Sequence, residues 1–118
     1  MELGTILLIL STHFVGDFIF QTDKQAKNKS SSNYWLTVHV ATYGICLSFA
    51  RLIMGNTLPS FYWVLINIVL HWYTDFVTSR INAYLWRKEM RHWFFVGIGL
   101  DQLIHYTCLF ATYKALLN

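Results

Sequence analysis

Four apolar stretches, at about residues 3–20, 35–53, 61–79 and 93–115, occupy most of the chain. Each is close to the ~20 residues a helix needs to cross a hydrocarbon core, and this pattern limits the fold more than any other feature. Only 13% of the residues are charged, against about 25% in an ordinary soluble domain. A length of 118 residues predicts one integral membrane domain spanning 1–118. One proline and six glycines exclude collagen-like and disordered classes. Cys46 and Cys108 both lie in apolar runs, which excludes a disulfide framework and a cysteine zinc module. The basic residues gather between the apolar blocks, so the net charge of +3 points to no nucleic-acid partner. The first stretch reads as a span and not as a cleaved signal: it opens on Glu2, holds His13 and Asp17, and precedes no A-x-A site.

The joints are a polar stretch Gln21–Tyr34, a turn Met54–Pro59 and a basic stretch Arg80–His92. Thr22-Asp-Lys-Gln25 forms a capping-box pattern for a short interfacial helix, and the serines before Asn33 offer an N-cap for the second span. Short joints predict antiparallel neighbours, hence an all-α, up-down four-helix transmembrane bundle. Lys24, Lys27, Lys29, Arg80, Arg87, Lys88 and Arg91 lie in the first and third joints, whereas only Arg51 and Lys114 lie at the other side. That bias predicts both joints in the cytoplasm of a bacterial inner membrane, with both termini outside. Trp35, Trp86 and Trp93 fall at span ends on the basic side, where indole rings favour the interface.

His13-Phe-Val-Gly-Asp17-Phe18 is echoed by His71-Trp-Tyr-Thr-Asp75-Phe76 at a matching position in the third span. The echo raises, without establishing, a chain of two repeated helical hairpins. Three of the four aspartates lie inside apolar spans, and each has a histidine four residues away: His13 with Asp17, His71 with Asp75, His105 with Asp101. Chance placement gives about a third of such a pair. This spacing puts both side chains on one helix face. The stripes extend through Gln21, His39 and Tyr43, Asn67 and Gln102, so every span offers a polar face that should turn inward. At 1.5 Å per residue, His13, His39, His71 and Asp101 fall roughly 6–12 Å below the cytoplasmic boundary.

An aspartate mid-span costs roughly 2.5–3.5 kcal/mol on insertion scales, so three of them need compensation. Histidine–aspartate pairs used as polar glue between helices would supply it. A divalent metal would supply it too. Imidazole and carboxylate together suit Zn, Mn or Fe, and helical bundles hold such ions with inward-facing ligands. The candidate ligands are His13, Asp17, His39, His71, Asp75, Asp101 and His105, enough for one metal or for two sharing a carboxylate. Asp17 or Asp101 would serve as catalytic base, and Gln21, Tyr43, Asn67 and Gln102 would orient ligands or substrate. Lys24, Lys27 and Lys29 mark topology first and a site for anionic lipid headgroups second.

These residues give the chain a resemblance. His13-x3-Asp17-Phe18-x2-Gln21-Thr22, then His71-x3-Asp75, then Asp101-Gln102-x2-His105 resemble the motifs of an uncharacterised family of small membrane proteins from bacteria and their phages. His39 matches as well, and the likeness covers nearly the whole chain without implying an activity. A weaker similarity is to LexA-regulated inner-membrane metal-dependent hydrolases, which also carry H-x3-D on a membrane helix. This chain lacks the separate histidine-rich loop expected of them.

The sequence therefore points to a membrane-embedded His/Asp metal-binding protein, with a metal-dependent hydrolase acting on a lipid-like substrate at the cytoplasmic leaflet as its enzymatic form. The alternative is a non-enzymatic membrane protein: an accessory or partner-binding factor of phage or host, or an ion or proton conductor, with a structural polar core. A b-type haem between two histidines is disfavoured, because haem does not need the aspartate partners. Membrane lipids are the expected partners; a homo-oligomer is left open and is not indicated.

Overall fold

In the computed structural model, which describes residues 1–117, the chain is all-helical, and no strand occurs among the described residues. Helix α1 (Leu3–Phe14) continues into a π-helical turn at Val15–Ile19. The short α2 (Asp23–Asn28) starts on Thr22, whose hydroxyl accepts from the Gln25 N–H at 3.2 Å. The expected capping box forms by half, because Gln25 Oε1 accepts no hydrogen bond in return. Helix α3 (Asn33–Met54) is capped by Ser32, as its sequence predicts, and stops at Gly55, whose φ of 147° suits glycine alone. Helix α4 (Leu58–Arg87) opens with a complete reciprocal box between Thr57 and Ser60, with Pro59 in its first turn. After Lys88–Met90 comes α5 (Arg91–Leu116).

The third joint is the main correction. Arg80–Arg87 forms the last two turns of α4 and not a loop, which leaves three residues between α4 and α5. The segment has neither glycine nor proline to stop it. The Arg80 side chain instead folds back on the helix, donating to the Phe76 carbonyl and covering its ring. A run of charge ends an apolar stretch without ending a helix.

Three-residue connections fold α3 back on α4 and α4 back on α5, while α1 and α2 pack against α3. The assembly measures 45 × 26 × 21 Å. At the Gly55 end a small apolar core joins Ile9, Tyr43, Leu47, Trp63, Val64 and Leu109, and Trp63 Nε1 donates to the Leu109 carbonyl at 3.0 Å. Beyond this core the interior turns polar: as many polar as apolar residues are buried. Large apolar side chains lie outside, including Leu3, Ile53, Tyr73, Phe95 and Leu103. Helices α3 and α5 are long and apolar enough to cross a membrane. Leu3–Ile19 is apolar but shorter, and the polar stripe through Asn67, His71 and Asp75 lowers the apolar character of α4.

Candidate metal centre

The three i, i+4 pairs on α1, α4 and α5 all face inward and are buried, and His39 of α3 joins them with no exposed surface. The π turn places Asp17, since an extra residue per turn is a local departure that re-aims a side chain. Gly16 permits the close approach this requires. A Cβ there would stand 3.0 Å from the Tyr43 ring and 3.3 Å from Cys46 Cβ. The echo between the two H-x3-D motifs therefore stops at the side chains: Asp17 sits in a π turn and Asp75 in a regular α-helix.

At the centre four atoms converge. His39 Nε2 lies 3.0 Å from Asp17 Oδ1 and 3.2 Å from Asp75 Oδ2. His71 Nε2 lies 3.3 Å from each of the same oxygens, and 3.2 Å from His39 Nε2. Ligands at ~2.0–2.2 Å around a tetrahedral ion stand roughly 3.3–3.6 Å apart. The five measured separations are within a few tenths of an ångström of that edge. These buried groups could hold a metal ion, and so could a second set of Asp17, Asp101 and His105.

A hydrogen-bonded frame holds the centre. Gln102 Nε2 donates to Asp17 Oδ2 at 3.0 Å and to Asp101 Oδ2 at 3.1 Å, which turns its Oε1 toward His13 Nε2 at 2.7 Å. His13 Nε2 is then the donor, and its Nδ1 accepts from the Tyr43 hydroxyl at 2.7 Å. Both nitrogens of His13 are engaged, and His13 lies outside both ligand sets. Tyr43 also stacks on His71, with ring centroids 4.0 Å apart. Thr78 donates to Asp101 Oδ1. Lys29 closes the centre from the α2 side, its ammonium donating to Asp75 Oδ2 at 3.0 Å. Burial opposes the Lys29 charge, but the carboxylates of Asp75 and then Asp17 outweigh it and raise its pKa above that of an ordinary lysine.

A cavity of about 550 Å³ leads to this centre. Asp17, Asp75, Asp101 and Gln102 reach its floor; Lys27, Lys29 and Arg87 stand around it; Phe18, Trp86, Phe94 and Ile98 supply apolar wall. Gln21 lines it with an Oε1 that accepts no hydrogen bond. Asn67 is elsewhere. Its amide donates to the Trp63 carbonyl and to Thr112, tying α4 to α5 next to the apolar core. Lys24 lies over the Trp35 ring.

Residues 5–118 match the family DUF3307, described as proteins of unknown function. The chain belongs to that family. No curated protein and no solved structure matches it. What the DUF3307 chain can do must therefore be read from its own residues.

Two side chains of this DUF3307 centre, Lys29 and Thr78, join it without a mark in the sequence motifs. Lys29 sits on Asp75 and not among lipid headgroups, and no periodicity in the sequence separates it from Lys24 and Lys27. Thr78, three residues past Asp75, lies on the inward stripe of α4, and that register was the available signal.

Proposed function

We propose that the protein is a membrane-embedded metalloprotein that hydrolyses a lipid-like substrate at the cytoplasmic leaflet. The observation that carries this reading is the four-atom group of His39, His71, Asp17 and Asp75. With neutral histidines, the three buried carboxylates face a single ammonium, Lys29. A divalent cation balances that excess, and Zn, Mn or Fe suits the donor set.

The membrane setting has its own support. A core helix of a soluble protein can be apolar, but it is mostly buried. Only 17% of the apolar stretch of α5 is buried, and α5 lies far from the N-terminus, where a signal sequence would stand. An apolar exterior around a polar interior is the arrangement expected of helices in lipid. Lys24, Lys27, Arg80, Arg87, Lys88 and Arg91 gather at the end where the cavity lies, which supports placing that end in the cytoplasm. Toward the other end the apolar core of Ile9, Leu47, Trp63 and Leu109 closes the polar path, which favours an enclosed site over a conductor.

The bound ion would polarise a substrate oxygen and lower the pKa of a water toward ~7. Asp17 belongs to the four-atom group, which leaves Asp101 on the cavity floor as the base that takes the proton of the attacking water. Gln102 holds the Asp17 and Asp101 carboxylates in register, and His13 and Tyr43 hold Gln102 and His71. Lys27 and Arg87 offer cations to an anionic headgroup, and Trp86, Phe94 and Ile98 offer a path for an acyl chain.

The test is an assay of detergent-purified, metal-supplied protein against phospholipid in mixed micelles. Release of a hydrolysis product that chelation abolishes and Asp101→Asn slows by 100-fold or more supports the reading. Turnover that chelation leaves unchanged, or no turnover with bound metal, removes the hydrolase.

A further inference from the structure

His105 Nδ1 lies 2.7 Å from the Asp101 carbonyl, an acceptor only, so this nitrogen carries the hydrogen. The neutral ring then presents a bare lone pair at Nε2. That atom is buried, has no hydrogen-bond partner, and lies 3.5 Å from Asp75 Oδ1. Asp75 Oδ1 is also buried and without a partner, although the other oxygen of the same carboxylate belongs to the four-atom group. Two acceptors at this distance, in residues that are 3% and 1% exposed, repel unless something positive lies between them. The hydrogen bond from Nδ1 to a backbone carbonyl is also the usual way a protein fixes the tautomer and orientation of a metal-binding histidine.

We infer that the centre is dinuclear, a deepening that rests on the metal reading above. One ion occupies the group of His39, His71, Asp17 and Asp75. A second divalent ion binds His105 Nε2 and Asp75 Oδ1, with Asp17, which falls in one ligand set with His105, as its third protein ligand. Asp75 is the bridge, one oxygen to each ion, which suits the ~3.5–4 Å separation of two-metal sites. Asp101 serves the second ion through its backbone, whose carbonyl holds His105, while its carboxylate, oriented by Thr78 and Gln102, keeps the role of base on the cavity floor. Paired ions of this kind act on phosphoesters, where one binds the attacking oxygen and the other the leaving oxygen. Paired ions also serve aminopeptidases; it is Lys27 and Arg87 in the cavity lining, cations that suit a phosphate, that favour a phosphoester as the substrate class.

The experiment is a titration of chelator-treated, detergent-solubilised protein with Mn²⁺, counting bound ions and recording their electron paramagnetic resonance. Two ions per chain with a spin-coupled spectrum are expected, and His105→Gln should leave one ion with an uncoupled six-line spectrum. One ion per chain and no coupling in wild type overturns the dinuclear centre while leaving the metal reading intact. It is also the result if a proton on His105 Nε2 bridges the pair. No bound ion overturns both. The wild-type spectrum decides even where His105→Gln fails to fold.

Discussion

The Lys29 ammonium and the Asp75 carboxylate meet at 3.0 Å, and the oxygen that accepts, Oδ2, is the one that faces both His39 and His71. Lys29 is therefore an internal cation beside the proposed metal, stabilising Asp75 when no metal is bound and repelling the metal when one arrives. Lys29→Met should lower the thermal stability of metal-free protein by up to about 3 kcal/mol, because it strands a buried charge. It should also raise metal affinity by about tenfold, since a unit charge beside the site is removed. Thermal shift and Mn²⁺ titration read the two effects separately. Loss of stability with unchanged affinity would make Lys29 a structural ion pair only.

The same pair sets a pH response. The folded-state pKa of Lys29 is raised, with burial opposing the charge and Asp75 outweighing it. The stability it contributes is complete below the ordinary lysine range, near pH 10.4. It falls as pH rises through the higher folded-state value. Metal-free wild type should lose stability above that range more steeply than Lys29→Met, as followed by thermal melts at stepped pH.

Asp75→Asn separates a metal centre from polar glue. Asparagine keeps the shape and an acceptor for the histidines but removes the charge that offsets a cation. Metal-free stability should fall, as it does for Lys29→Met, since the Lys29 ammonium loses its carboxylate. Added Zn²⁺ or Mn²⁺ should stabilise wild type and leave Asp75→Asn unmoved. Equal indifference in both proteins would favour a purely structural polar core.

Tyr43→Phe tests the frame. Loss of the hydroxyl leaves His13 Nδ1 without its donor at a buried position, a cost of about 1–3 kcal/mol. Because Tyr43 belongs to neither ligand set, the number of bound ions should be unchanged. A melt that does not move would mean that His13 finds another partner.

The proposed orientation is open to labelling in cells. With Cys46 and Cys108 replaced by alanine, Asp23→Cys at the start of α2 should react only from the cytoplasm, and Asn56→Cys in the Gly55 turn only from outside. Both positions are exposed. The reverse pattern would invert the proposed topology.

Much of the helical layout was legible because apolar length and capping residues act locally: Ser32 and Gly55 begin and end α3 near the residues their chemistry implies. The inward polar stripes were legible for the same reason, since i, i+4 spacing needs no tertiary knowledge. The end of α4 is not legible in the sequence, because Arg80, Arg87, Lys88 and Arg91 report where solvent begins and say nothing of where hydrogen bonding stops. The π turn at Asp17 was invisible, being set by how closely Gly16 lets α1 approach Tyr43. The different stations of His13 and His105 were equally hidden. Both sit four residues from an aspartate, yet Gln102 and Tyr43 engage both nitrogens of His13, while the Asp101 carbonyl engages only one of His105. Only the folded contacts separate them.

The central claim is that the four-atom group holds a divalent metal, and metal content tests it most directly. Protein purified in detergent without added metal, then analysed by plasma mass spectrometry, should carry Zn, Mn or Fe at one ion per chain or more. His71→Ala, which removes one of the four ligands, should lose at least one ion while its helical circular dichroism is retained. Wild type without metal after incubation with all three ions, or a folded His71→Ala with undiminished content, would contradict the account.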